Sequence, residues 1–365
     1  FQVERAGDRW SVTVPSHRRD VEQEEDLIEE VARIFGYDRI PETLPVEILG
    51  VGSVEPAVEA ERRVRQLLLR AGLSEVLTLS LVREADLDRA GIPREHPLHR
   101  AVPLRNPLTQ DHTHLRPTLL PCLLEVLRTN RARGNADVHV FEVGRVFRTA
   151  SGGWEELKVV GMAQMGRSLV GTWNLPQEAV RTSFHHLKGV VESLLEALHV
   201  EDWELRPQAL PWLHPYRAAA LWVGGQPVGW LGELHPEVCE RYDLRDRAYV
   251  AELQLEPLVR AARWAPQYRP LAYTPAVERD LAVVVEGSVP AGEVVRVVRE
   301  VSGGLLEACE PFDVYTGPPV PEGHKSVAVR LRFRDPARTL HSEEVDRLLD
   351  RVREALRERL GAAFR

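Results

Sequence analysis

Residues 14–41, VPSHRRDVEQEEDLIEEVARIFGYDRIP, hold eight Asp and Glu side chains. On a helix turning about 100° per residue, Asp26, Glu29, Glu30 and Arg33 share one face, opposite Leu27, Ile28, Val31, Ile34 and Phe35. Asp20 falls just before the helix, as its N-cap, with Gln23 three residues on. Three hard carboxylates at this spacing, with a fourth from the preceding turn, suit Mg2+, which takes few carboxylates and keeps several waters. The same acids suit a solvated face whose N-terminal charges oppose the positive end of the helix dipole and pair with Arg33. Spacing alone leaves both readings open.

A second constellation lies near the other end. Alternation in EPFDVYTG puts Phe312 and Val314 on one face and Asp313 and Tyr315 on the other. In KSVAVRLRFR, Val327, Val329, Leu331 and Phe333 point inward, leaving Ser326, Ala328, Arg330, Arg332 and Arg334 on the open face. A ring, a carboxylate acceptor and three cations are the parts that hold an unpaired RNA base and its phosphates. A water-facing sheet with ordinary alternating charges fits the same pattern. Small-effector binding and dimerisation also occur on such a sheet, so the pattern alone does not decide.

The other reactive residue types form no comparable set. Cys122, Cys239 and Cys309 are far apart and odd in number, so they read as buried apolar residues. His112 with His114, and His185 with His186, lack further ligands at zinc-like spacing and read as surface or interface packing. Trp173 and Trp212 fit either interface anchors or ordinary core.

The elements that must position these groups belong to an α+β, multi-domain chain. At 365 residues, with 44% hydrophobic and 28% charged residues, it can bury two or three cores. Its net charge of −8 excludes a protein that coats nucleic acid through an overall basic surface. The acid excess sits at the front: residues 1–45 hold 11 acidic against 6 basic side chains, and residues 279–365 hold 15 against 14. There is no basic-then-apolar leader and no run of about 18 apolar residues, so a cytoplasmic protein without a membrane partner is expected. The chain opens on Phe1 inside a strand-like run, FQVERAGDRWSVTVP, as the C-terminal part of something longer would.

Pro- and Gly-rich punctuation at 41–57 and 264–275 predicts three parts. Residues 1–45 form the end of a small module bearing the acidic helix. Residues 56–262 begin with a helix near 57–71 and continue as a largely antiparallel layout. Its strands are EVLTLSLV, VHVFEVGRVFR, LKVVGMAQM, AALWVGG and PVGWLGEL; its helices are LLPCLLEVLRTNRA and SFHHLKGVVESLLEALH. Residues 273–365 read strand, helix, strand, strand, helix and a short last strand, the ferredoxin-like βαββαβ order with helices on one face.

PSHRRDVEQEEDLIEEVARIFGYDRIP resembles, at nearly every specified position, a segment of the β-subunit family of bacterial phenylalanyl-tRNA synthetases. NPLTQDHTHLRPTLLPCLLEVL, VFEVGRVF and GWLGELHPEV resemble the central module of that subunit, a degenerate class II aminoacyl-tRNA synthetase core. One departure is Cys122, where the family has Gly. PAVERDLAVVV, PFDVYTG, EGHKSVAVRLRF and RTLHSEEV resemble its ferredoxin-fold anticodon-binding domain. The resemblance implies a Mg2+ ion shared with an α subunit and held by Asp20, Asp26, Glu29 and Glu30. It implies Ala282 and Tyr315 flanking the first anticodon base and Asp313 bonding its edge; Arg330, Arg332 and Arg334, set on the open face by alternation, complete the candidate anticodon site. It implies an (αβ)2 phenylalanine–tRNA ligase acting on tRNA(Phe), with ATP consumed at the α subunit.

Class II chemistry needs an Arg in a strand-borne F-R-x-E and another after a Gly-rich strand-to-helix turn, to neutralise charge on the phosphates. VFEVGRVFR lacks the Arg-Glu pair, and GGQPVGWLGELHPEV leads to His235 and Pro236 without the Arg. A non-catalytic core is expected. The alternative is a freestanding RNA-binding or assembly protein descended from that subunit; a third reading is an effector-sensing module.

Overall fold

A computed structural model describes residues 1–43, 55–150, 152–168, 173–176, 180–265, 267–268 and 270–364. Most of the predicted linker at 41–57 lies outside the described residues, as do two positions of that at 264–275. The chain divides into two compact units, Phe1–Arg263 and Trp264–Arg365.

The first unit opens with a hairpin of β1 (Gln2–Ala6) and β2 (Arg9–Thr13), in register from Gln2 opposite Thr13 to Ala6 opposite Arg9. The acidic helix α1 (Glu24–Phe35) follows. Glu24, Glu25 and Asp26 occupy its first turn and Arg33 its last, each favoured there by the helix dipole. It stops at Gly36, whose φ of 98° a residue with a Cβ rarely adopts.

Helix α2 (Pro56–Arg70) starts on a proline, which loses nothing at a helix N-terminus, where the N–H has no intrahelical partner. Strand β3 (Ser74–Glu75) pairs parallel with β7 (Val138–Ala150), which forms a long antiparallel hairpin with β8 (Gly153–Met165). Between them lie β4 (Leu81–Val82), α3 (Glu84–Arg89), β5 (Val102–Pro103), β6 (His114–Leu115) and α4 (Leu120–Ala132). The chain continues through α5 (Phe184–Ala197), β9 (Trp203–Pro207), β10 (Leu213–Val223) and β11 (Gln226–Leu234). Helix α6 (Pro236–Arg241), β12 (Ala248–Gln254) and α7 (Leu255–Ala261) complete the unit. Strands pair in the order β3-β7-β8-β12-β11-β10-β9, while β4, β6 and β5 form a small separate sheet.

Alternation decides which face each helix covers. Val138, Val140, Val146, Val159, Ala163 and Val250 pack against Leu120, Leu123, Leu124 and Leu127 of α4. Phe141, Val143, Val160, Met162, Ala251 and Leu253 pack against α2, α5 and α7 on the other face.

Two expectations change. EVLTLSLV is not one strand: Ser74 and Glu75 join the large sheet, Leu81 and Val82 the small one, and Leu77 and Leu79 are exposed between them. Alternating apolar residues mark an extended backbone but not which sheet receives it. The central strand β12 was not foreseen, because it is buried on both sides and its sequence AYVAELQ lacks polar alternation.

The second unit is a four-stranded sheet in the order β14-β15-β13-β16, with α8 (Ala291–Ser302) and α9 (Ser342–Leu360) on one face. Its strands are β13 (Val277–Glu286), β14 (Leu306–Tyr315), β15 (His324–Phe333) and β16 (Ala363–Phe364). Val327, Val329, Leu331 and Phe333 are buried against Val294, Val297, Val298, Val345, Leu348 and Val352, as alternation predicts. Among the described residues, the opposite face carries no helix of this unit.

Candidate functional site

The acidic segment is assembled around an arginine. One Nη2 of Arg18 reaches both Asp20 Oδ2, at 2.6 Å, and Glu30 Oε1, at 2.7 Å. Arg33 holds the other oxygen of Glu30 at 2.7 Å. Hydrogen bonds from Arg18 draw the Asp20 carboxyl down to about 2, and those from Arg18 and then Arg33 do the same for Glu30. Asp26 accepts from the backbone N–H groups of Glu22 (2.7 Å) and Gln23 (2.8 Å), which hold its carboxyl below the ordinary range. The helix therefore begins with Gln23 as N-cap and Asp26 reaching back to it, in place of the expected cap by Asp20. A carboxylate at the third helical position can fold onto the free N–H groups, whereas Asp20 is turned to Arg18. Glu29 is exposed.

As donors, these hard oxygens suit Mg2+. Their arrangement does not. Arg18 sits between two of the carboxylates, and an oxygen of Asp26 is committed to two backbone donors. Among the described residues no group of three or more His, Cys, Asp or Glu side chains is placed to hold a metal ion.

In the core, the face covered by α4 is filled by the chain itself. Glu142, Gly161 and Glu252 lie in one row across β7, β8 and β12. Glu142 is 1% exposed and takes Arg116 Nη2 at 2.8 Å and the Thr78 hydroxyl at 2.6 Å. Glu252 is 3% exposed and takes the Thr118 hydroxyl at 2.6 Å, the Leu119 N–H at 2.7 Å and Arg148 at 3.0 Å. Segment 116–119 thus lies flat on the strands. Two glycines permit the approach: a Cβ at Gly144 would stand 2.6 Å from Arg116 Nη2, and one at Gly161 2.8 Å from Leu119 Cδ1.

Neither strand-to-helix turn of this sheet supplies an arginine. The first turn of α6 is Pro236, Glu237, Val238 and Cys239; that of α7 is Leu255, Glu256, Pro257 and Leu258. Arg145 is spent on Glu156 and Arg148 on Glu252. Of the paired histidines, His186 accepts the Ser183 N–H at Nδ1 and meets the Ser168 hydroxyl at Nε2, while His114 Nδ1 meets Thr113. Burial pushes the thiols of Cys239 and Cys309 up to about 11 and that of Cys122 upward too. Trp212 is core, packed edge-on to Trp230, and Trp173 is exposed.

On the open face of the second unit, Ala282, Ala328 and Asp313 form one row across three strands. Val284, Ser326 and Tyr315 form the next same-face row. Ala282, Asp313 and Tyr315 are therefore neighbours, though separated in sequence by up to 33 positions. Tyr315 is 44% exposed, and its hydroxyl donates to Pro318 O at 2.9 Å. The arginines are all engaged. Arg330 grips Asp280 with two bonds of 2.9 Å, Arg332 reaches Glu278 at 2.7 Å, and Arg334 reaches Glu307 at 3.1 Å and Thr274 O at 2.7 Å.

Sequence reasoning missed two features here. The acids that neutralise the arginines are cross-strand partners, visible only once register is known. Strict alternation also fails at Phe312: register shifts between Pro311 and Asp313, so Phe312 is an extra residue in the strand. Pro311 was the available signal, since a proline inside a strand marks an edge or a bulge.

Residues 1–37 match the family described as tRNA synthetase B5 domain, residues 40–255 the Phenylalanyl tRNA synthetase beta chain CLM domain, and residues 272–365 the Ferredoxin-fold anticodon binding domain. The Phenylalanine--tRNA ligase beta subunit of Moorella thermoacetica is 44% identical over 98% of this chain and 44% of its own length. That of Symbiobacterium thermophilum is 45% identical over 97% and 40%. The chain thus spans less than half the length of these relatives. A crystal structure of pyrrolysyl-tRNA synthetase from Desulfitobacterium hafniense aligns with 56% of this chain and 68% of that one, with a TM-score of 0.45 and 20% identity, a likeness too slight to bear on the site. Since the central match alone takes in more than half of the residues, the chain belongs to the phenylalanyl-tRNA synthetase beta chain family.

Proposed function

We infer that this chain serves phenylalanine–tRNA ligase as the C-terminal part of its β subunit, in an (αβ)2 assembly with an α subunit that carries the active site and consumes ATP. Its contributions are a subunit interface made by the core and docking of the tRNA(Phe) anticodon on the second unit. The observation that carries this reading is the juxtaposition of Ala282, Asp313 and an exposed Tyr315 on the helix-free face of a domain matched to an anticodon-binding family. A ring, a small residue that leaves space and an acceptor are what one unpaired base requires.

The core supports a non-catalytic role. Segment 116–119, pinned by Glu142 and Glu252, occupies a sheet face that would have to open for a nucleotide to lie there. The test is aminoacylation by the α subunit with and without this chain, alongside ATP–pyrophosphate exchange by the chain alone. Exchange is expected to be absent from the isolated chain, and aminoacylation to depend on the mixture. Phenylalanine-dependent exchange by the chain alone would refute the reading of the core.

The shared Mg2+ is proposed only for the assembled enzyme, because Arg18 bridges Asp20 and Glu30 in this chain. Calorimetric titration of the complex with the α subunit tests this: Arg18→Ala is expected to tighten Mg2+ binding if Asp20, Asp26, Glu29 and Glu30 are its ligands. Unchanged, negligible binding in that variant would remove them from the ligand set.

A further inference from the structure

We propose that Phe312 is a second stacking platform on the open sheet face, taking the nucleobase adjacent to the one held at Tyr315. The inference rests on the anticodon-binding reading and extends it to a residue outside the expected set. Phe312 is the inserted residue of a bulge in the edge strand β14, flanked by Pro311 opposite Val329 and Asp313 opposite Ala328. A bulge shifts the register by one residue and re-aims a side chain. Here it frees the ring from the alternation that would turn it toward the helix side.

The ring is 54% exposed, and the guanidinium carbon of Arg330 lies 5.1 Å from its centroid. Arg330 belongs to the open face, since Val329 and Leu331 beside it are fully buried. Its bidentate bond to Asp280 holds the guanidinium in place. That separation leaves no room for a base between cation and ring, so the base takes the surface of Phe312 that faces solvent. The cation behind the ring helps to keep it in position. Along a strand, three residues span about 10 Å. Consecutive bases of an extended loop can therefore rest on the two rings while Asp313 reads the edge of one of them.

The test uses the full chain and the anticodon stem-loop of tRNA(Phe), carrying 2-aminopurine on either side of the first anticodon base. With the wild-type chain, fluorescence at one flanking position is expected to be quenched on binding. Phe312→Leu keeps apolar bulk but removes the ring; it should abolish that quench and weaken binding about 5- to 150-fold. Phe312→Tyr should retain both. If Phe312→Leu binds and quenches like the wild type while Tyr315→Ala weakens binding, the second platform is refuted and the anticodon reading stands. If the wild-type chain does not bind the stem-loop, or binds it equally well with Tyr315→Ala, the anticodon reading fails and the platform falls with it.

Discussion

Replacing Arg116 with Met tests whether the core face is held shut by its buried charges. Arg116 is 2% exposed; it donates to Glu142 at 2.8 Å, the Thr78 hydroxyl at 2.7 Å and Arg145 O at 2.9 Å. Methionine fills much of the volume but leaves the 1% exposed Glu142 with the Thr78 hydroxyl as its remaining partner. Removing one member of a buried ion pair costs about 3–5 kcal/mol, because the charge left behind is not resolvated. For a unit of this size, about 2–4 °C is lost per kcal/mol, so a fall of roughly 6–20 °C is expected. Thermal and urea unfolding followed by tryptophan fluorescence are the assays, reading the temperature fall and the free-energy cost: seven of the eight tryptophans lie within Phe1–Arg263, so the signal reports that unit. Adding Glu142→Met to Arg116→Met should recover part of the loss, since the stranded charge is gone. A single-variant cost below about 1 kcal/mol, or a double variant whose loss equals both single losses combined, would refute the idea that this pair fastens segment 116–119.

Asp20 and Glu30 have carboxyls lowered from 3.8 and 4.5 to about 2 by Arg18, so their ion pairs stabilise the folded module above pH 4.5 and lose that effect as pH falls toward 2. Carboxyl carbon NMR should show both titrating near 2, and Arg18→Ala should return Asp20 to its ordinary range. Because Arg330, Arg332 and Arg334 are already paired with acids, anticodon stem-loop binding should depend weakly on salt, with a log–log slope no steeper than about −1. A slope beyond about −2 would mean that these arginines leave Asp280, Glu278 and Glu307 for phosphates. Burial keeps Cys239 and Cys309 protonated, with values of about 11, so iodoacetamide at pH 7 should label neither until the protein is unfolded; mass spectrometry of the native protein checks this.

Local pattern determined much of this molecule. The acid-rich first turn and Gly36 bracket α1, the apolar stripe of α9 and the inward valines of β15 specify which side is buried, and the order of elements in residues 273–365 specifies the sheet. Each of these depends on neighbours within one or two turns, or on alternate residues of one strand, and so is written in consecutive residues. What tertiary structure decided is who meets whom. Thr118 finds Glu252, Arg116 finds Glu142, Asp280 takes Arg330 from any phosphate, and Ala282 and Asp313 come into one row through Ala328. These partners are set by strand order and register, quantities fixed by the packing of whole sheets. Even the one-residue insertion at Phe312, which Pro311 signals only as an edge or a bulge, is located when β14 is laid against β15, because a bulge is a relation between two strands.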